Sequence, residues 1–389
     1  MTERCYFLKD TLPARPRRPQ SLSISKNERL VLDLIRRKAA ISRADVAREL
    51  ELTPNSISRI VDALDQHGLL KFGERVVNGP GKPSTLIRLS PEAAYSIGFS
   101  IMTDAISAVL MSFTGAVVAE RYSRLTSMDR ETIFGLLAAL RGELVTAHAI
   151  QSERVCGVGV AVTGYFTGER NQLNPPAPLD AIAMFDLDVE VAERLQTPVW
   201  IENSARAAAV GESLSGVGLE HTTFAYLNHE MGFGGALIIE NELFRGASGN
   251  AGEFSGILAP ELLPTRPTLE LLRVMLAEQG PKFADIHQML ENFDVNWPGV
   301  DTWIETIKHP LNRVITAISA VVDPEVIVVG GGRMPQSLAE KLIVELQFYD
   351  GPKRRGRHQP RPKLVLSKIK GDATAIGAAS IPLRATFFM

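Results

Sequence analysis

Between residues 24 and 90 the apolar positions fall first at helical spacing and then at alternating spacing. Ser25-Lys26-Asn27-Glu28 has the form of a capping box, in which a Ser hydroxyl and a Glu three residues on satisfy free helix N–H groups. Leu30, Val31, Leu34 and Ile35 then form one apolar stripe. Ser42-Arg43-Ala44-Asp45 opens a second short helix with Ile41, Val46 and Leu50 inward, and Glu51-Leu52-Thr53 is a tight connection. Thr53 is placed to cap a third helix, and Pro54 suits its first position because the missing N–H is not needed there. That helix runs to about His67 with Ile57, Ile60, Val61 and Leu64 inward, and Gly68 ends it. Leu69–Val77 reads as a strand, Asn78–Pro83 as a turn and Ser84–Leu89 as the returning strand. The order predicts a helix-turn-helix followed by a wing over residues 24–90.

From Pro91 the pattern changes to strands alternating with amphipathic helices. Ser96–Leu110 with Ala116–Glu120 reads as a strand pair, and Val155–Val162 as a buried strand ending at Thr163-Gly164. Val199–Ile201 is another strand. Thr223–Leu227 and Ala236–Ile239 flank a glycine turn, and Glu325–Val329 runs into three glycines. Helices are predicted around Val189–Leu195 and Leu311–Val321. The alternation predicts an α/β domain with mixed sheets over 91–389. Residues 1–23, with Pro13, Arg15, Pro16, Arg17, Arg18 and Pro19, read as a flexible basic arm.

Composition narrows the classes. The chain has 389 residues, 45% hydrophobic and 22% charged, enough for two or three full cores. No stretch has the roughly 18 uninterrupted apolar residues of a membrane span, and the N-terminus lacks the apolar core of a signal peptide. Only Cys5 and Cys156 are present, which argues against a disulfide framework and fits the cytoplasm. Charge is uneven: residues 1–90 carry 17 Lys and Arg against 10 Asp and Glu, a net of +7, while the remainder carries 25 against 34, a net of −9. A basic front on an acidic body points to a polyanion at one end. On the third helix Asn55, Ser56, Ser58 and Arg59, together with Thr53 at its start, are the candidate groups for a major groove. Arg43, Arg75 and Lys82 are the candidate phosphate contacts.

Five segments, in this order and spacing, resemble the ROK family, named from repressor, open reading frame and kinase. They are Gly157–Gly164, Ile201–Ala209, Gly232–Ala236 continuing through Phe244–Glu253, Asp323–Gly331, and Ala375–Ala379. The resemblance implies two actin-like lobes, about 91–204 with 372–389 and 205–371, around a sugar cleft. It also implies a homodimer or larger homo-oligomer. Family repressors bind double-stranded operator DNA and respond to a sugar or sugar derivative.

The chain departs from the kinases of the family where chemistry is needed. The family's general base is an Asp directly after Glu-Asn, and here Ser204 stands there, a group that is no base at neutral pH without a partner. The first phosphate loop reads Ser100-Ile101-Met102-Thr103-Asp104, which sets Cβ atoms and a carboxylate where glycine backbone would meet phosphate. The second turn reads Glu230-Met231-Gly232, again with a carboxylate. The zinc-binding His is replaced by Gly256 and no Cys follows Cys156, so neither metal nor cofactor is expected. His287 and His309 read as surface or packing residues. Gly164, Asn203, Ser204 and Glu253 match cleft positions and are the candidate effector contacts, with Asn203 as a helix cap the competing role. These features predict a carbohydrate-related transcription repressor that is not an enzyme. A sugar kinase and an architectural DNA binder without effector are the alternatives.

Overall fold

The computed structural model describes residues 24–76, 84–168, 171–331, 333–349, 351 and 353–389. The expected arm over 1–23 and the wing turn with Lys82 lie outside the described residues, and Arg75 enters through its backbone alone.

The N-terminal unit forms as its caps direct. Helix α1 (Lys26–Lys38) starts with the full Ser25–Glu28 capping box. A two-residue strand β1 (Ile41–Ser42) precedes α2 (Arg43–Glu49). Helix α3 (Pro54–Gln66) is capped by the Thr53 hydroxyl, which accepts from the Ser56 N–H. The wing strands β2 (Leu70–Val76) and β3 (Ser84–Leu89) pair antiparallel, and β1 adds to the far edge of β3. That third strand is a difference from the sequence reading, in which Ile41 belonged to the helix. Ile41 is buried, but as the partner of Ile87.

Two five-stranded sheets follow. The first holds β4 (Tyr95–Ile101), β5 (Ala105–Ser112), β6 (Val117–Arg124), β7 (Val155–Val162) and β10 (Val199–Asn203) in the order β10-β7-β4-β5-β6. Helices α4 (Arg130–Ala147) and α5 (Leu187–Leu195) accompany it, with a short hairpin β8 (Tyr165–Phe166) and β9 (Leu173–Asn174). The expected long strand Ser96–Leu110 is therefore two strands. Met102-Thr103-Asp104 turns the chain, with the Met102 N–H donating to the Ala105 carbonyl at 2.9 Å. Both halves are buried almost throughout and carry only small polar residues, so the break leaves no mark in the hydrophobic pattern.

The second sheet is built after α6 (Ser204–Ser215). It holds β11 (Phe224–His229), β12 (Phe233–Ile239), β13 (Glu242–Phe244), β14 (Val326–Gly330) and β15 (Lys363–Leu366), in the order β13-β12-β11-β14-β15. Helices α7 (Leu269–Gln279), α8 (Ile286–Glu291), α9 (Pro298–Val322) and α10 (Gln336–Glu345) complete this lobe. The C-terminal helix α11 (Ala373–Phe387) crosses back to pack on β4, β7 and α6. The α6–α11 packing is backbone on backbone: a Cβ added at Gly377 would stand 1.9 Å from the Ala207 carbonyl oxygen.

The winged unit is docked. Its core residues Val31, Leu32, Ile35, Val61 and Ile87 belong to one cluster with Val109, Phe113, Leu214, Ile376 and Phe387 of the body. Arg29 on α1 donates to the Phe388 carbonyl at 2.9 Å and the Arg384 carbonyl at 2.8 Å. Arg36 donates to the Leu214 carbonyl at the end of α6, and Arg37 to Gly218 O (3.3 Å) and Asn241 Oδ1 (2.7 Å). Asp33, largely buried, pairs with both Arg36 (2.8 Å) and Arg37 (2.9 Å).

Candidate nucleic-acid interface and ligand cleft

Helix α3 buries Ile57, Val61 and Leu64 and leaves its other face open. Asn55, Ser56 and Arg59 are exposed and Ser58 is half-buried. No carboxylate among the described residues pairs with Arg59. Thr53 and Ser56 are partly committed, since their hydroxyls lie 2.9 Å apart as part of the cap. Arg43 bonds to Asp62 at 2.8 Å and stands over the Phe72 ring, 5.7 Å from its centroid. Both partners of that pair are well exposed, so it is worth at most about 1 kcal/mol and yields readily to a phosphate.

Gly164, Asn203 and Ser204 meet where β7 and β10 end and α6 begins. Asn203 caps α6: Oδ1 accepts from Ala205 N (2.9 Å) and Arg206 N (3.3 Å), and Nδ2 donates to the Gly164 carbonyl at 2.6 Å. Its polar atoms therefore have internal partners. Gly164 has φ +144, and a Cβ there would meet the Asn174 carbonyl at 2.7 Å. Glycine is needed at that position by the protein's own backbone. The Ser204 hydroxyl lies 3.2 Å from the Thr163 hydroxyl, which is no base.

Glu253 is exposed and makes no capping bond, and it joins the group through Arg206. Arg206 is fully buried. Its Nε donates to Glu202 at 2.8 Å, its Nη1 stands 4.0 Å from Glu253, and its guanidinium lies over Phe166 at 5.0 Å. Neither Nη1 nor Nη2 has a hydrogen-bond partner among the described residues, an unusual state for a buried guanidinium. Arg245 closes on the other oxygen of Glu202. Across the cleft Asn250 bonds both backbone groups of Phe166, accepting at 2.8 Å and donating at 2.7 Å. Arg206, Glu202, Arg245 and Asn250 lie inside the motifs that carried the resemblance. Arg206 and Glu202 pair four residues apart, but their burial, and the reach of Arg245 to Glu202 and of Asn250 to Phe166, are not displayed by spacing.

The kinase positions hold carboxylates. Glu230 is half-buried and accepts from the Thr374 hydroxyl at 3.0 Å. Burial, with nearby Asp372, pushes its carboxyl up to about 7. Asp104 is also raised, by burial first and then by Asp285. The mouth beside it is bridged between lobes by Arg124–Asp285 at 2.9 Å and by Tyr122 stacked on His287 at 4.1 Å. His309 hydrogen-bonds Tyr349 at 2.8 Å. Gly256 keeps its place in a short turn after Glu253, and half-buried Cys156 has its thiol pushed up to about 12 by loss of solvent.

Comparison with known proteins agrees with this architecture. Residues 97–264 match the ROK family and residues 24–71 match winged helix-turn-helix DNA-binding. The two matches fall on the α/β body and on the winged unit respectively. An uncharacterized protein of Sinorhizobium fredii is 27% identical over 94% of this chain and 92% of its own length. The xylose repressor of Bacillus spizizenii is 29% identical over 58% of this chain and 59% of its own length, so the chain spans about three fifths of that relative. A ROK family transcriptional regulator, homologue of the E. coli Mlc protein, shares the fold with a TM-score of 0.69. The two are 21% identical over 92% of this chain and 94% of that one. Solved ROK sugar kinases share the fold over about three quarters of the chain. No helix of the described residues is long and apolar enough to cross a membrane.

Proposed function

We propose that this protein is a transcription regulator, acting as a repressor, that binds operator DNA through α3 and its wing and responds to a sugar or sugar derivative. The observation that carries the reading is the docking of a winged unit, its α3 face open, against the end of the helix that begins at the cleft. The names of the xylose repressors support it. Asn55, Ser56, Ser58 and Arg59 are the proposed base or phosphate contacts, with Thr53, Arg43, Arg75 and Lys82 beside them. Gly164, Asn203, Ser204 and Glu253 form the proposed effector locus, and Arg206 completes it.

The proposed coupling runs along α6. Its 12 residues span about 18 Å from Asn203 to the carbonyl that holds Arg36. A ligand that favours one lobe arrangement shifts α6 and α11 together, because their backbones are in contact, and so shifts α1. In a homodimer this changes the separation of two α3 helices and the match to paired half-sites. The protein is not a kinase on this reading: the Ser204 hydroxyl meets the Thr163 hydroxyl and no carboxylate base, and Glu230 and Asp104 put side chains where glycine backbone would meet phosphate. It acts in the cytoplasm, where its DNA lies.

The test is to titrate pentoses, hexoses, sugar acids and polyols while reading duplex affinity by anisotropy, with ADP release followed in parallel. At least one ligand should change affinity by about 5- to 150-fold, with no ADP formed. Ligands that raise thermal stability yet leave duplex affinity unchanged would contradict the coupling. ADP release dependent on any sugar would restore the kinase.

A further inference from the structure

The body carries a second basic feature, far from α3 in sequence. The segment entering β15 reads Lys353-Arg354-Arg355-Gly356-Arg357-His358-Gln359-Pro360-Arg361-Pro362-Lys363. Residues 353–360 are all exposed. Arg354 and Arg357 exchange backbone hydrogen bonds at 3.0 Å in both directions. Between them Arg355 (φ +51) and Gly356 (φ +77) make the two-residue turn with both central residues left-handed, which holds a tight hairpin. Arg361 anchors its base by donating to the Tyr349 carbonyl at 2.8 Å. No carboxylate among the described residues pairs with Lys353, Arg354, Arg355 or Arg357. On a body of net −9 this is a concentrated positive hairpin.

Its position follows from strand register. β11, β14 and β15 are parallel, with Phe224 opposite Val326 and Val326 opposite Lys363. The hairpin thus leaves from the end of the sheet where these strands start. The winged unit docks at that same end: Arg37 holds Asn241, whose N–H donates to the Thr222 carbonyl just before β11. From β12 to β15 is three strand spacings, about 14 Å. The root of the hairpin therefore sits less than half of one DNA turn from the joint of the winged unit, a full turn being about 34 Å.

We infer that the Lys353–Arg357 hairpin is a second DNA contact, binding the phosphate backbone that flanks the sequence read by α3. The hairpin offers no aromatic or aliphatic anchor of the kind a protein interface is built on. It offers guanidinium and ammonium groups, which suit phosphate and carry no base discrimination. The inference rests on the DNA-binding reading above.

The experiment uses the full chain and mixed-sequence duplexes of about 15 and about 40 base pairs, one short and one near four helical turns. Affinity is measured across a salt series for wild type, K353Q/R354Q/R355Q/R357Q, the charge-keeping R354K/R355K/R357K, and R59Q. The hairpin variant should lose about tenfold or more on the long duplex, and its log-affinity against log-salt slope should flatten by about 2 to 4. The loss should be smaller on the short duplex, which leaves less flanking backbone for the hairpin, the Lys variant should keep the slope, and R59Q should weaken both duplexes. An unchanged slope on the long duplex would overturn the inference while leaving α3 as the DNA contact. An unchanged slope together with a changed elution volume would overturn it in favour of a contact between copies. Failure of wild type to bind either duplex would remove the DNA-binding reading itself, and this inference with it.

Discussion

At the scale of single residues, the proposed choice of binding over chemistry rests on Ser204 and Glu230. Ser204 shares its hydroxyl only with Thr163, and phosphoryl transfer needs a group that takes a proton from the sugar. Glu230 gives a titration signature. Its folded carboxyl is raised to about 7 from an ordinary 4.5, so its contribution to stability is full below 4.5 and lost as pH rises through 7. Neighbouring His229 runs the other way. Burial lowers it to about 4, so its contribution is full above 6.5 and lost as pH falls toward 4. E230Q should therefore raise the Tm at pH 8 relative to pH 5.5, compared with wild type. An identical pH profile in calorimetry would mean that Glu230 is not held protonated by burial. Departures from the family motif made Ser204, Glu230 and Gly256 readable from sequence. The cap that Asn203 makes was readable as its competing role, but its bond to the Gly164 carbonyl was not, because Gly164 is 39 residues away.

Among the elements, those with local signals were legible. The capping box, the Thr53-Pro54 start and the wing strands sit where short-range chemistry puts them. The strand break at Met102-Thr103-Asp104 was hidden by apolar residues on both sides. Helix α9 runs 25 residues through Pro310, although the pattern marked only Leu311–Val321. A proline normally costs a helix about 3 kcal/mol, and here the buried face around Trp303, Ile307, Leu311 and Val314 offsets it. The α6–α11 pair is where element packing matters most to function. G377A would drive a Cβ into the Ala207 carbonyl and should cost about 1–3 kcal/mol or more, seen as a lower urea midpoint. Equal midpoints would mean that the two helices are not in backbone contact and cannot move as one.

On the scale of the whole molecule, the joint between winged unit and body is the feature that sequence could not supply. Arg36 and Leu214 are 178 residues apart, and Arg29 reaches the last turn of the chain. Charge asymmetry pointed to nucleic acid at the front, yet it also averaged away the basic hairpin at 353–357, which lies in the acidic portion. The most direct test of the central claim is selection of fragmented genomic DNA from the source organism by the purified chain at near-physiological salt, with R59Q beside it. The account predicts a small set of fragments sharing an inverted repeat whose half-sites are about one helical turn apart, lost or weakened in R59Q. Retention of no fragment, or retention without a shared sequence and unchanged in R59Q, would contradict it.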